Sequence, residues 1–246
     1  MRPVLWGLLG FVACLPLAFV LMIVAAARYQ GMDAFTVNLP ANVRTAVAEL
    51  ALRNAGHGKD SAKGTDRAIK LDPESADAWS RRCHGYFFDE TKYDQAACRR
   101  AIALDPSTWN YNGLGTAQEQ AKDYCAAEEA YTSAIRTSSN DATSLRNMAR
   151  AALRCGHVGA SVAGFEVAES LDAKSAEDPE EDDDDIKIDL LSDREYLAVA
   201  YDKTNQSAKA TAVCNKAHPD WKACRCELTD AAVKCSNAPA VSASRK

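Results

Sequence analysis

The apolar positions of this chain open with an uninterrupted block. Residues Pro3 to Ala27 carry no charge and are bounded by Arg2 and Arg28. As a helix the block extends roughly 37 Å at about 1.5 Å per residue, enough for a bilayer core of about 30 Å. It has no polar face to turn toward water, so a buried soluble helix does not fit it. The pattern predicts an uncleaved transmembrane anchor over residues 1–30. A cleaved signal peptide stays open, because Ala25-Ala26-Ala27 supplies small residues of the A-x-A kind, but the run exceeds an h-region of about 7–15 residues and barely has an n-region. A lipoprotein reading through Cys14 fits less well, because the apolar run continues past it.

Beyond a linker at residues 31–41 the pattern becomes periodic. Ala68-Ile69-Lys70-Leu71-Asp72-Pro73 returns 33 residues later as Ala101-Ile102-Ala103-Leu104-Asp105-Pro106. Ala134-Ile135 follows after another 33, and Ala168 after 34. A fixed period of this size marks stacked supersecondary units, none of which can bury its apolar face alone. Alanine is abundant while glycine (12) and proline (8) are scarce, which favours helix.

Small and large residues alternate in register within the period. Gly115, Ala149 and Ala198 each stand 12 residues before Ala127, Ser161 and Ala210. Small side chains at these positions let two antiparallel helices cross closely, and Tyr131 and Phe165 then fill the space toward the next unit. In the first unit Glu49 falls where a small residue belongs.

These residues resemble the tetratricopeptide repeat, whose signature sets Trp, Leu, Gly and Tyr on a first helix, then Ala and an aromatic on a second, and a closing Pro. The second unit carries Trp79, Cys83, Tyr86 and Pro106, with cysteine in place of the usual glycine. The third matches best, with Tyr111, Leu114, Gly115, Tyr124, Ala127, Tyr131 and Ala134, and with Gln118 replacing a tyrosine. The fourth shows Leu145, Met148, Ala149 and Ala152, then Ser161, Phe165 and Ala168. A fifth shows Leu197, Ala198 and Tyr201, then Ala210, Cys214 and Ala217. The resemblance implies an all-α solenoid of four to five antiparallel helix pairs following the N-terminal helix. Repeats one to four occupy residues 42–172, and the fifth residues 191–219.

In that family the first helices line a groove that binds extended peptides. By resemblance the groove here would present Ser80, His84, Phe87 and Phe88, then Trp109, Asn112, Thr116 and Glu119, then Arg146, Asn147, Arg150 and Arg154. The three arginines stand four apart, on one helix face. Guanidinium forks pair bidentately with carboxylates, so the expected ligand is a protein or peptide, acidic or bound through its C-terminal carboxylate. The alternative is an exposed helix face that the arginines merely solvate.

Charge adds one further element. The interval from Ala168 to Ala217 stretches to 49 residues and contains Glu177-Asp178-Pro179-Glu180-Glu181-Asp182-Asp183-Asp184-Asp185, eight acidic residues in nine. Such a block repels itself and has no apolar face, so residues 173–190 are expected to form a disordered loop. Removing its eight charges from the net −5 leaves +3, so the repeats themselves are mildly basic. The loop is expected to mask the arginine face. A plain acidic run lacks the defined turns that would preorganise it for calcium.

Nine cysteines are present, and setting Cys14 aside leaves Cys83, Cys98, Cys125, Cys155, Cys214, Cys224, Cys226 and Cys235. An even set suits an oxidising compartment. Anchor-flanking charge is nearly balanced, so the cysteines decide in favour of repeats on the exported side. Helices of the resembled repeat run antiparallel, which implies the pairs Cys83–Cys98 and Cys125–Cys155. The last four lie with His218 in a compact stretch. Tetrahedral zinc is the alternative there, giving a structural or metal-binding role, but the spacing lacks paired C-x-x-C. Disulfides stapling a short helical cap, with Trp221 and Leu228, are expected at residues 220–246.

No GxGxxG, P-loop, GxSxG or HExxH occurs, and only four histidines are present. No catalytic residue, cofactor, nucleic acid or small-molecule substrate is expected.

Overall fold

The structure is a computed structural model that describes residues 40–54, 59–85, 93–177, 184–221, 224–230 and 232–237. The block Pro3–Ala27 and the expected groove residues Phe87 and Phe88 lie outside the described residues. Among the described residues no helix is long and apolar enough to cross a membrane. The chain divides into two compact units, one ending at Asp105 and the other beginning at Pro106.

The first unit contains α1 (Ala41–Asn54), α2 (Lys59–Leu71), α3 (Ala76–Cys83) and α4 (Gln95–Leu104). Val47, Ala48, Leu52, Ala68, Leu71 and Ala78 form its apolar cluster. Ala48 is the buried small residue of α1, and Glu49 is exposed. The first unit therefore keeps a small crossing residue one position earlier than the repeat spacing implies. Ser75 and Asp94 cap α3 and α4 by accepting backbone N–H groups that the first turn leaves unpaired. Cys83 and Cys98 are fully buried and disulfide-bonded, tying α3 to α4.

The second unit contains α5 (Thr108–Gln120), α6 (Tyr124–Thr137), α7 (Ala142–Cys155), α8 (Val158–Ala176), α9 (Asp184–Lys203) and α10 (Ser207–Ala217), then β1 (Cys224–Leu228) and β2 (Val233–Asn237). Each helix packs on the next, and α5, α7 and α9 also meet along the first-helix face. The turns inside the three pairs share one backbone solution. Lys122 (φ 62°), Gly156 (φ 97°) and Asn205 (φ 59°) each adopt the left-handed conformation. They stand 34 and 49 residues apart, the intervals of the repeat itself. Ala127, Ala134, Tyr131 and Phe165 are fully buried, as packed crossings require. Gly164 abuts Ala149, where an added Cβ would come within 2.8 Å of the alanine methyl. Cys125 and Cys155 join the start of α6 to the end of α7.

Two expectations for this unit are corrected. Residues 173–176 complete α8 and residues 184–190 open α9, so the two ends of the expected loop over 173–190 are helical, and residues 178–183 lie outside the described residues. Asp184 and Asp185 occupy the first turn of α9, where the helix dipole favours negative charge. Leu190 is buried, which gives the start of α9 an apolar contact.

The expected helical cap is a β-hairpin. β1 and β2 pair antiparallel, with Cys226 opposite Cys235. Cys224 and Cys226 face inward and Arg225 and Glu227 outward, the two-residue alternation of a half-buried strand. The hairpin packs on α9 and α10. Cys214–Cys224 bonds it to α10, and Cys226–Cys235 ties its strands together.

Candidate functional site

The first-helix face of the second unit holds an open pocket of about 340 Å³. Thr116, Glu119 and Gln120 come from α5, Tyr124 from the start of α6, Arg150 and Arg154 from α7, Tyr196 from α9 and Asp230 from the hairpin turn. Arg150 donates through Nε and Nη2 to the two oxygens of Glu119 at 3.3 and 3.2 Å, and through Nη2 to Asn147 Oδ1 at 2.8 Å. Burial opposes the Arg150 charge, but Glu119 outweighs it and holds the guanidinium above its ordinary range. Beneath them Tyr131 donates its hydroxyl to Glu119 at 2.9 Å. Burial first, and then Glu119, push that phenol well above its usual range. Arg154 donates to the Asp230 carbonyl at 3.0 Å and lies 5.4 Å from the centre of the Tyr124 ring.

The three arginines therefore do not form one solvated stripe. Arg146 is only 7% exposed and does not line this pocket. Its Nε donates to Asp193 at 2.7 Å, Nη1 to Asp189 at 2.8 Å, and Nη2 to Asp172. Burial disfavours its charge, and the three carboxylates more than reverse this. Asp193 is fully buried. Burial pushes its carboxyl up to about 7 against the pull of Arg146, and neighbouring Asp172 adds to the rise. The acids that engage Arg146 come from α8 and α9, flanking the acidic run. Arg146 is thus a structural lock between α7, α8 and α9, and the masking of a free arginine face does not apply to it.

The remaining groove residues separate. Ser80 and His84 belong to the first unit. Ser80 is half-buried. His84 is 2% exposed with its ring edge-on to Tyr93, so it is a core residue and not a groove residue. In the second unit Trp109 is 49% exposed. Asn112 donates to Ser144 Oγ at 2.8 Å, and Thr116 donates to the Asn112 carbonyl at 3.0 Å. Tyr196 and Asp230 were not anticipated. For Tyr196 a signal existed, because the 49-residue interval carries Asn147 onto it. Nothing in the sequence pointed to Asp230. A second cavity of about 420 Å³ lies along α6, where His157 Nδ1 and Glu128 Oε2 stand 2.7 Å apart.

All four C-terminal cysteines are in disulfides, so their sulfurs are not the thiolates that zinc requires. Cys214 Sγ and Cys226 Sγ, which belong to different disulfides, lie 3.2 Å apart. His218 stacks on Trp221 at 3.9 Å and holds Glu195 at 2.8 Å through Nε2.

Stacked helix pairs with a first-helix face define the tetratricopeptide-repeat fold, and the chain has that fold. Its solved neighbours include two structures of MamA. One is 17% identical with TM-score 0.55, covering 65% of this chain and 86% of that one. The other is 16% identical with TM-score 0.56, covering 73% and 90%. YrrB, described as a TPR protein with an unusual peptide-binding site, is 16% identical with TM-score 0.54, covering 74% of this chain and 88% of its own. No family model matches the chain, and no curated protein matches it significantly.

Proposed function

We propose that this protein is an interaction scaffold, tethered to a membrane through residues 3–27, that binds an extended segment of a partner protein on the first-helix face of its second unit. The observation that carries this reading is the open pocket lined by Tyr124, Tyr196 and Arg154. Tyr124 carries Arg154 over its ring and Tyr196 stacks on Phe165, so both rings are held in place to offer apolar contact to an extended chain. Arg150 is engaged by Glu119, so Arg154 is the cation better placed to meet a ligand carboxylate, at an acidic side chain or a C-terminus. The repeats stand on the exported side, in keeping with disulfide-bonded cysteines.

The test is a peptide library screened against the full chain, with free and amidated C-termini. Selected peptides are expected to carry a carboxylate. Arg154→Glu should weaken them at least tenfold, whereas Glu128→Lys, outside the pocket, should leave them bound. Binding indifferent to Arg154→Glu would refute this site. Carbonate washing should leave the protein in the membrane pellet with Met1 present. A mature terminus at Arg28 would replace the anchor with a cleaved signal.

A further inference from the structure

The geometry points to a thiol–disulfide relay at the C-terminal hairpin, in which the Cys226–Cys235 bond exchanges with a partner dithiol and passes the exchange inward to Cys214–Cys224. Three relations carry it. Cys214, Cys224 and Cys226 are buried with their sulfurs all within 4.8 Å of one another, so two separate disulfides touch. The closest approach between them is the 3.2 Å from Cys226 Sγ to Cys214 Sγ. Cys235, in contrast, is partly exposed on β2, and its sulfur lies within 4.8 Å of ring nitrogen of His218 and a carboxylate oxygen of Glu195.

The electron bookkeeping closes with a dithiol as the reductant. One thiolate of the dithiol attacks Sγ of the partly exposed Cys235. The Cys226–Cys235 bond breaks, and its electron pair leaves on Cys226. The Cys226 thiolate attacks Cys214 Sγ, forming Cys214–Cys226 and expelling Cys224, which takes up a proton. The second thiol of the reductant then displaces Cys235, which leaves as a thiolate beside His218. One dithiol has become a disulfide, and two disulfides have become one disulfide and two thiols. A thiolate is the attacking and leaving species throughout. His218, oriented by Glu195 and by its stack on Trp221, is the group placed to exchange a proton with Cys235. The product keeps β1 bonded to α10 through Cys214–Cys226 while releasing the tie between the strands.

The test uses the full oxidised chain with one equivalent of dithiothreitol, acid-quenched, alkylated and mapped by mass spectrometry. The expected product has free thiols at Cys224 and Cys235 and a Cys214–Cys226 bond. Free Cys226 and Cys235 with Cys214–Cys224 intact would overturn the relay, as would reduction of both bonds with no intermediate. Cys235→Ser gives an independent reading, because it leaves Cys226 unpaired beside Cys214. The alkylated residue is then expected to be Cys224, and alkylation of Cys226 alone would overturn the proposal. His218→Gln should slow release of Cys235 from the mixed disulfide at pH 7 about tenfold and flatten the pH profile of that step. An unchanged rate and profile would remove His218 and Glu195 from the step.

Discussion

Tyr131 fills the space where residue 115 would carry a side chain: a Cβ on Gly115 would meet three atoms of the ring at 2.5 to 2.7 Å. The ring is fully buried and its hydroxyl is held by Glu119, so it cannot swing aside. Gly115→Ala should therefore overpack the α5–α6 crossing and cost about 1–3 kcal/mol. Ala127→Leu, on the facing helix, should cost a similar amount. Denaturant unfolding measures both, and an unchanged midpoint would mean that the ring has room.

The Arg146 lock sets a pH dependence. Burial pushes the Asp193 carboxyl up to about 7 in the folded chain, against about 3.9 when unfolded. Between those values the folded state retains a proton that the unfolded state has lost. This contribution is fully present below about pH 4 and disappears as pH rises through about 7. The melting temperature should be higher at pH 5.5 than at pH 8, and Asp193→Asn should reduce that difference. Arg146→Met should cost roughly 3–5 kcal/mol, because it strands buried carboxylates.

Cys125–Cys155 closes a 30-residue interval and Cys83–Cys98 one of 15. In the loop-entropy account each contributes about 3–4 kcal/mol, the longer loop slightly more. Cys125→Ser/Cys155→Ser should lower unfolding free energy by about that amount. The loss should be read with the remaining disulfides verified intact.

The repeat turns offer a stabilising change. Lys122 holds φ 62° with a side chain that disfavours it. Glycine adopts that conformation freely, so Lys122→Gly should gain about 0.5–1 kcal/mol despite its greater unfolded entropy. Gly156→Ala at the equivalent turn should lose stability. Thermal melts of the two variants should move in opposite directions.

Much of the fold was legible because a repeat writes its packing several times. The Asp-Pro recurrence and the 12-residue spacing of small residues located the helix pairs, and antiparallel helices then placed Cys83 beside Cys98 and Cys125 beside Cys155. What failed depended on partners far away in sequence. The spacing of Arg146, Arg150 and Arg154 shows that they share a face, but Asp172 and Asp193, 26 and 47 residues on, decide which of them is buried. His84 sits at groove spacing yet turns into the core against Tyr93. The hairpin is not legible in the sequence because Cys224 to Leu228 spans only five residues, too few for an alternation to stand out against helical surroundings.

The bond from Arg154 to the Asp230 carbonyl joins residues 76 positions apart. Synthesis at about 5–20 residues per second separates their appearance by seconds, long against the microseconds in which a helix forms. The nascent chain thus presents Tyr124 and Arg154 well before the turn that walls their pocket. A partner arriving early at the proposed pocket would meet an unfinished groove, and selectivity there would be the last property of this unit to mature.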